Sequence, residues 1–420
     1  MSQLLNGQFM IKGLAIAVTT LMVGTAHAAK TEQQQIQELR QEVEALKSLI
    51  QQQQQVQQQQ QTQIAQVQQA KPAAPASVLS SLKSKSGADV SIYGSIRGDA
   101  NYIIKGADSD FNSTHTSKDN VSDKLVATSK VTRLGLDFNT PVGDSKLGGK
   151  VEVDFAGTSD NLRIRHAYLT LNNWLFGQTT SNFLSNHAPE MIDFATNIGG
   201  GTTRVPQVRY GYKLAPTTQL FVSAEEGNSS GDSLTYRVPN LTAKVVQTYA
   251  GGKGSASARA LVEHYKSEAA NDDKTGWGVA AGTNYQVAEP LKVSADVSYV
   301  KGNSNYLYGN NSAFVVDSNS IEQNETIGVQ VGATYQFSPQ LRSTLAYGAL
   351  FADDGTDFAR AANKPDNKQN EKVQQAWINF IYSPVKPVDL GIEYINGERK
   401  NFHGQKFSDD RVGFMARYSF

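Results

Sequence analysis

The stretch that decides the fold is Val90-Ser91-Ile92-Tyr93-Gly94-Ser95-Ile96-Arg97-Gly98-Asp99-Ala100-Asn101-Tyr102. Its residues alternate in character, with Val90, Ile92, Ile96, Ala100 and Tyr102 on one face and Ser91, Ser95, Arg97, Asp99 and Asn101 on the other. Alternation of period two marks an extended strand with one apolar and one wet face. The pattern returns at 132–139, 150–155, 162–171, 174–179, 205–214, 219–225, 241–249, 256–265, 277–287, 291–300, 326–337, 341–350, 373–382, 388–395 and 411–420, about sixteen strands in all.

The connections between these strands also alternate. Tight turns such as 141–144, 215–217, 251–254, 288–290, 338–339 and 383–384 are followed by long polar loops at about 103–129, 181–203, 228–239, 302–323, 352–371 and 398–409. Short turns on one rim and long loops on the other are what a closed antiparallel transmembrane barrel requires. An even strand number returns both ends of the region from about 88 to 420 to the short-turn, periplasmic side. The apolar faces carry almost no charge, as in Leu291, Val293, Ala295, Val297 and Tyr299. Aromatics gather near strand ends, as interfacial girdles do. A soluble β-sandwich, such as a surface adhesin, is the structural rival.

Composition taken alone is that of a soluble protein, but a transmembrane barrel remains open because its strands alternate lipid-facing and lumen-facing residues, and several other classes are excluded. The chain has 420 residues, 39 Lys+Arg against 39 Asp+Glu, and a hydrophobic fraction of 39%. With no net charge there is no basic footprint for nucleic acid, and with no cysteine there is neither disulfide framework nor thiolate site. Beyond the leader no apolar run approaches the roughly 18 residues of a spanning helix. The six histidines are scattered without metal-ligand spacing, and no Ser-His pairing or paired-carboxylate site can be read from spacing, so neither cofactor nor enzyme activity is expected. His166 and His264 fall on outward faces by parity.

Three segments precede the strands. Lys12, the apolar run from Gly13 to Val23 and the small-residue site Ala26-His27-Ala28 read as a secretory signal peptide over 1–28, with Met10 an alternative start. The Gln-rich stretch from Thr31 to Ala70 keeps a heptad: Ile36, Val43, Ile50 and Ile64 at one position, Leu39, Leu46 and Val67 three further on. Such a seam needs partner helices, so 29–70 is expected to be a periplasmic coiled coil, with isoleucine at its a positions favouring three strands. A Pro/Ala/Ser linker over 71–87, opening with Lys71-Pro72-Ala73-Ala74-Pro75-Ala76, ends the helix.

The chain's last residues, Val412-Gly413-Phe414-Met415-Ala416-Arg417-Tyr418-Ser419-Phe420, resemble the C-terminal signal by which outer-membrane barrels are recognised for assembly. Arg163-Ile164-Arg165-His166-Ala167-Tyr168, Phe176-Gly177-Gln178 and Arg204-Val205-Pro206-Gln207-Val208-Arg209-Tyr210 resemble general porins. The plan of leader, Gln-rich coiled coil, Pro/Ala linker and sixteen-stranded barrel is similar to the DcaP-like porins. That resemblance implies a homotrimeric channel in the outer membrane that admits small anionic solutes, particularly dicarboxylates. It carries no feature specific to dicarboxylates.

In a porin the loop after the fifth strand folds into the lumen. Here that loop is expected over 181–203, with Glu190 and Asp193 as its acidic side and Gly199-Gly200-Gly201 letting the backbone turn back toward the wall. Period-two parity places Arg97, Arg133, Arg163, Arg165, Arg209 and Lys213 on polar faces of the first, second, fourth and sixth strands, and Lys244 and Arg259 on the eighth and ninth. Rings of such side chains favour anions. Arg163 and Arg165 share parity with Leu169 and Leu171, which would then also point inward.

Overall fold

A computed structural model describes residues 82–420, apart from 85–86, 228–233 and 365–367. The leader, the heptad segment and most of the linker expected over 1–81 lie outside the described residues. The end of the linker is seen as Leu82–Lys83, which pairs antiparallel with the first strand.

Sixteen antiparallel strands close into one barrel. They are β1 (Asp89–Gly106), β2 (Val121–Thr128, resumed as Arg133–Val142), β3 (Ser145–Asp154), β4 (Arg163–Leu171), β5 (Trp174–Thr180), β6 (Arg204–Ala215), β7 (Thr218–Glu225) and β8 (Asn240–Tyr249). The second half comprises β9 (Gly254–Ser267), β10 (Asp272–Ala288), β11 (Leu291–Lys301), β12 (Glu325–Gln336), β13 (Leu341–Ala352), β14 (Asn370–Tyr382), β15 (Val388–Asn401) and β16 (Lys406–Ser419). Each strand pairs with its sequence neighbour, and β16 closes on β1 from Ser95↔Ser419 to Lys105↔Asp410. Closure removes the free edges that lipid cannot satisfy.

Alternation along each strand decides what faces lipid. On β11 the side chains of Ala295 and Val297 are exposed on the outer wall, whereas Asp296, Ser298 and Val300 are buried inside. Aromatic side chains mark the short-turn rim: Trp174 packs on Tyr210 at 4.7 Å and Tyr249 stacks on Tyr285 at 5.8 Å.

Two irregularities reshape the inner wall. β2 is interrupted at 129–132, where the Thr132 hydroxyl replaces a ladder partner by accepting from Arg97 N at 3.0 Å. In β4 the register slips, with Glu152↔His166 followed by Val153↔Ile164, so Arg165 is an extra, bulged residue. On the outer rim, the long loop expected near 398–409 is instead a four-residue turn at 402–405, because β15 and β16 keep pairing out to Lys400↔Lys406.

The interior is not a simple tube. Residues of the 181–203 and 302–324 connections, among them Phe183, Leu184, Ile198, Tyr306 and Leu307, form an apolar core with Leu261, Val300 and Leu350 of the inner wall.

Candidate lumenal constriction

The 181–203 segment runs inside the barrel because polar side chains of the inner wall bind its backbone along its length. At its start, Ser181 Oγ and Asn182 N donate to Glu225 of β7 at 2.7 and 2.8 Å. Lys244 of β8 donates to Leu184 O at 3.2 Å, and Arg259 of β9 donates to Phe183 O at 3.3 Å and to Asp296 of β11 at 2.6 Å. Further on, Trp377 Nε1 and Asn379 Nδ2 of β14 donate to Glu190 O, while Glu393 of β15 accepts from Ile192 N and Asp193 N at 2.8 and 2.9 Å. Gln330 of β12 donates to Ile198 O at 3.0 Å. Gly199 has φ +80°, and a Cβ there would run into the carbonyl oxygens of Val329 and Ala349, so the glycine run lets the loop lie on the wall backbone.

This geometry changes what is expected of five residues. Lys244 and Arg259 do point inward, but they donate to loop carbonyls and, for Arg259, to Asp296, and both are buried. Asp193 is no acidic lining: it is 3% exposed, caps the turn Phe194–Thr196 through Ala195 N and accepts from Asn112 N at 2.6 Å. Burial pushes its carboxyl up to about 6. Glu190 is occupied by a two-pronged ion pair with Arg342 of β13 at 2.8 to 3.1 Å. Arg97 holds Asp99 and donates to Ile192 O at 2.6 Å.

The loop therefore covers the inner wall from β7 round to β15, and the arc from β2 to β6 faces it across the lumen. On that arc Arg163 grips Asp154 at 2.7 and 2.9 Å. Arg165 bridges Glu152 at 2.6 Å and Asp154 at 2.9 Å. The bulge makes this possible: it breaks the parity, so Arg163 and Arg165 face in while Leu169 and Leu171 stay exposed on the outer wall. It also turns His166, expected outward, into the lumen, where its Nδ1 meets Thr179 Oγ1 at 2.9 Å.

Arg133 and Arg204 lie within electrostatic reach of Arg165 and Asp154, yet neither has a carboxylate at ion-pair distance among the described residues. The cluster thus holds four guanidinium groups and two carboxylates. Arg209 lies over the Phe221 ring at 5.9 Å and Lys213 is exposed, both without an ion pair among the described residues. Arg204 escaped sequence reasoning because its parity matches the outward Pro206 and Val208, and only its place at the strand's first residue could have flagged it.

A family model described as DcaP outer membrane protein matches residues 21–420. The crystal structure of the outer membrane channel DcaP of Acinetobacter baumannii is 67% identical, with a TM-score of 0.79 over 81% of this chain and 100% of that one. An anion-selective porin from Comamonas acidovorans shares the fold at 14% identity and a TM-score of 0.55, over 79% of this chain and all of that one. The trimer form of OmpT from Vibrio cholerae does so at 14% and 0.53, over 79% and 99%. Comparison with curated proteins returned no match.

Proposed function

Since the chain belongs to the DcaP outer membrane protein family, and so is an outer-membrane channel rather than an enzyme, we propose that it prefers small anionic solutes, dicarboxylates among them. The observation that carries this reading is the pair Arg133 and Arg204, two lumenal guanidinium groups with no carboxylate at ion-pair distance among the described residues, beside Arg163 and Arg165. Guanidinium groups stay charged at working pH and can grip a carboxylate through two parallel hydrogen bonds. Each contact is shared with Glu152 or Asp154 or with water, which keeps it weak enough for passage. The loop opposite adds no competing negative charge, since Glu190 is paired and Asp193 is buried.

The test is the reversal potential under a KCl gradient and current blockage by a four-carbon dicarboxylate, in the native channel and in Arg165→Glu and Arg209→Glu. Anion selectivity that both variants weaken is expected. Cation selectivity in the native channel would sink the reading.

We further propose a homotrimer. Irregular backbone at membrane depth is tolerated where protein covers it, and the β2 interruption at 129–132 sits midway along the outer wall. Beside it lies an outer groove of about 830 Å³ floored by Gly98, Ala100, Ala127 and Ala416, room for side chains of a second copy. The Thr31 to Ala70 heptad supplies a three-stranded periplasmic stalk in this reading. A synthetic peptide of that segment should be helical and trimeric, and one that stays monomeric and unfolded at high concentration would remove the stalk. Phe420, exposed on the outer wall and bonded to Gly94 at the closing seam, is the residue offered to the barrel assembly machinery.

A further inference from the structure

Residues directly opposite on antiparallel strands share a face and lie about 5 Å apart. Lys372 of β14 stands opposite Lys400 of β15, and Lys400 stands opposite Lys406 of β16. The same register aligns Ile378, Tyr394 and Val412, so the three lysines belong to the lipid-facing wall. From Tyr382, in the aromatic girdle of the short-turn rim, the strand climbs ten residues to Lys372, which at about 3.3 Å each and a tilt near 40° spans the roughly 25 Å of an apolar band. The ladder therefore stands at the headgroup level of the outer leaflet.

Like charges directly opposite repel, and the ladder is only partly offset. Glu371 lies 2.6 Å from Lys400 Nζ and Glu398 lies 3.9 Å from Lys406 Nζ. Lys372 has no carboxylate partner among the described residues, and its Nζ sits 5.3 Å from the centre of the exposed Phe351 ring. Beside the β15–β16 turn, Lys364 adjoins Asn363, which bonds His403, and Lys368 adjoins Gln369, whose carbonyl accepts from Phe402 N; neither lysine forms an ion pair among the described residues. Elsewhere on the outer rim Lys105 is matched by Asp119 at 2.5 Å, Lys124 by Asp108 at 2.6 Å and Lys301 by Glu325 at 2.7 Å.

We propose that the Lys372–Lys400–Lys406 ladder docks the phosphate of a phosphorylated outer-leaflet lipid, whose acyl chains run down over Leu345, Ile378 and Tyr394. A phosphate monoester brings up to two negative charges and several acceptor oxygens to a row of ammonium donors. It relieves the repulsion that the register imposes. The apolar wall directly beneath selects a lipid over a free anion, since only a headgroup with chains attached meets both surfaces. The ladder faces away from the lumen, so this site is separate from the solute path.

The experiment uses the folded, full-length chain in nanodiscs of phosphatidylcholine doped with diphosphoryl lipid A or its dephosphorylated form, with retained lipid counted by native mass spectrometry. The native protein should retain the phosphorylated form about tenfold better. Lys372→Gln with Lys400→Gln and Lys406→Gln should lose that preference, the three Lys→Arg replacements should keep it, and Gln at Lys105, Lys124 and Lys301 should leave it intact. In pure phosphatidylcholine the ladder Gln variant should unfold at a temperature no lower than the native chain, whereas lipid A should raise only the native midpoint. Equal retention by the ladder variant, equal loss in the control variant, or equal retention of dephosphorylated lipid would overturn the proposal. A native midpoint raised as much by inorganic phosphate alone would do the same, by making this a small-anion site. Should the Gln variant not fold, the Arg variant and the two lipid forms on the native protein decide the matter.

Discussion

Replacing Arg133 and Arg204 together by glutamine removes the two charges of the arginine arc that have no carboxylate at ion-pair distance among the described residues, leaving Arg163 and Arg165 balanced by Asp154 and Glu152. At about 7 Å from a permeating ion in a water-filled lumen, a unit charge contributes about 0.6 kcal/mol. Screening at about 0.1 M salt roughly halves that. Losing both charges then costs an anion about 0.6 kcal/mol and favours a cation by the same amount. The difference of about 1.2 kcal/mol lowers the anion-to-cation permeability ratio roughly eightfold. Reversal potentials across a shallow KCl gradient near 0.1 M measure the ratio directly, and the effect should shrink as salt is raised. Asp154→Asn should shift the ratio the other way. A double variant whose ratio stays within about twofold of native at low salt would refute the assignment, and a larger shift from Arg97→Gln would move the filter to β1.

Val297→Arg, on the exposed outer face of β11, should cost about 2 to 4 kcal/mol near the midplane, while Ser294→Arg on the inner face stays close to neutral; denaturant midpoints in lipid test this, and equal damage rejects the assigned faces. Ser298, also inward, is a poor comparator, being 2% exposed beneath the loop. Asp296→Ala leaves the buried Arg259 without its carboxylate and should destabilise by about 3 to 5 kcal/mol, most of it recovered when Arg259→Met is added, as unfolding midpoints will show. Asp193, raised to about 6 by burial, favours the protonated fold, so its contribution is fully present below its unfolded value near 4 and is lost as pH climbs to about 6. That amounts to roughly 3 kcal/mol. Thermal unfolding between those pH values should show a steeper slope in the native chain than in Asp193→Asn, and an unchanged slope would place its origin elsewhere.

The barrel was legible because lipid imposes a strict rule on every strand: a side chain either meets hydrocarbon or does not, and Val90 to Tyr102 already carries that rule in full. Strand number and direction follow from alternation and from where Gly, Pro and polar runs interrupt it. Parity failed at β4, where a single bulged residue, Arg165, shifts every inward position after it. Leu169 and Leu171 were the visible symptom, and the bulge is its cause. Parity also says which way a charge points and not what waits there. Lys244, Arg259 and Asp193 are inward groups consumed by a loop arriving from far along the chain, whereas Arg133 and Arg204 are left over. Glu393 and Asp296 anchor that loop through its backbone amides and Ser185, partners that leave no trace in residue type.

The one-sided seating of the 181–203 loop separates two kinds of change that mutation can make. The wall side chains that hydrogen-bond the loop among the described residues lie between β7 and β1 going round by β15, and the arc from β2 to β6 adds the packing of Val131 and Ala156 around Phe194 and Ala195. Substitutions on that arc can redraw the charge pattern met by a solute while the scaffold opposite keeps its shape. Transport preference in such a barrel is free to drift under selection by a changing diet, one arginine or glutamate at a time, without first crossing a valley of lost stability.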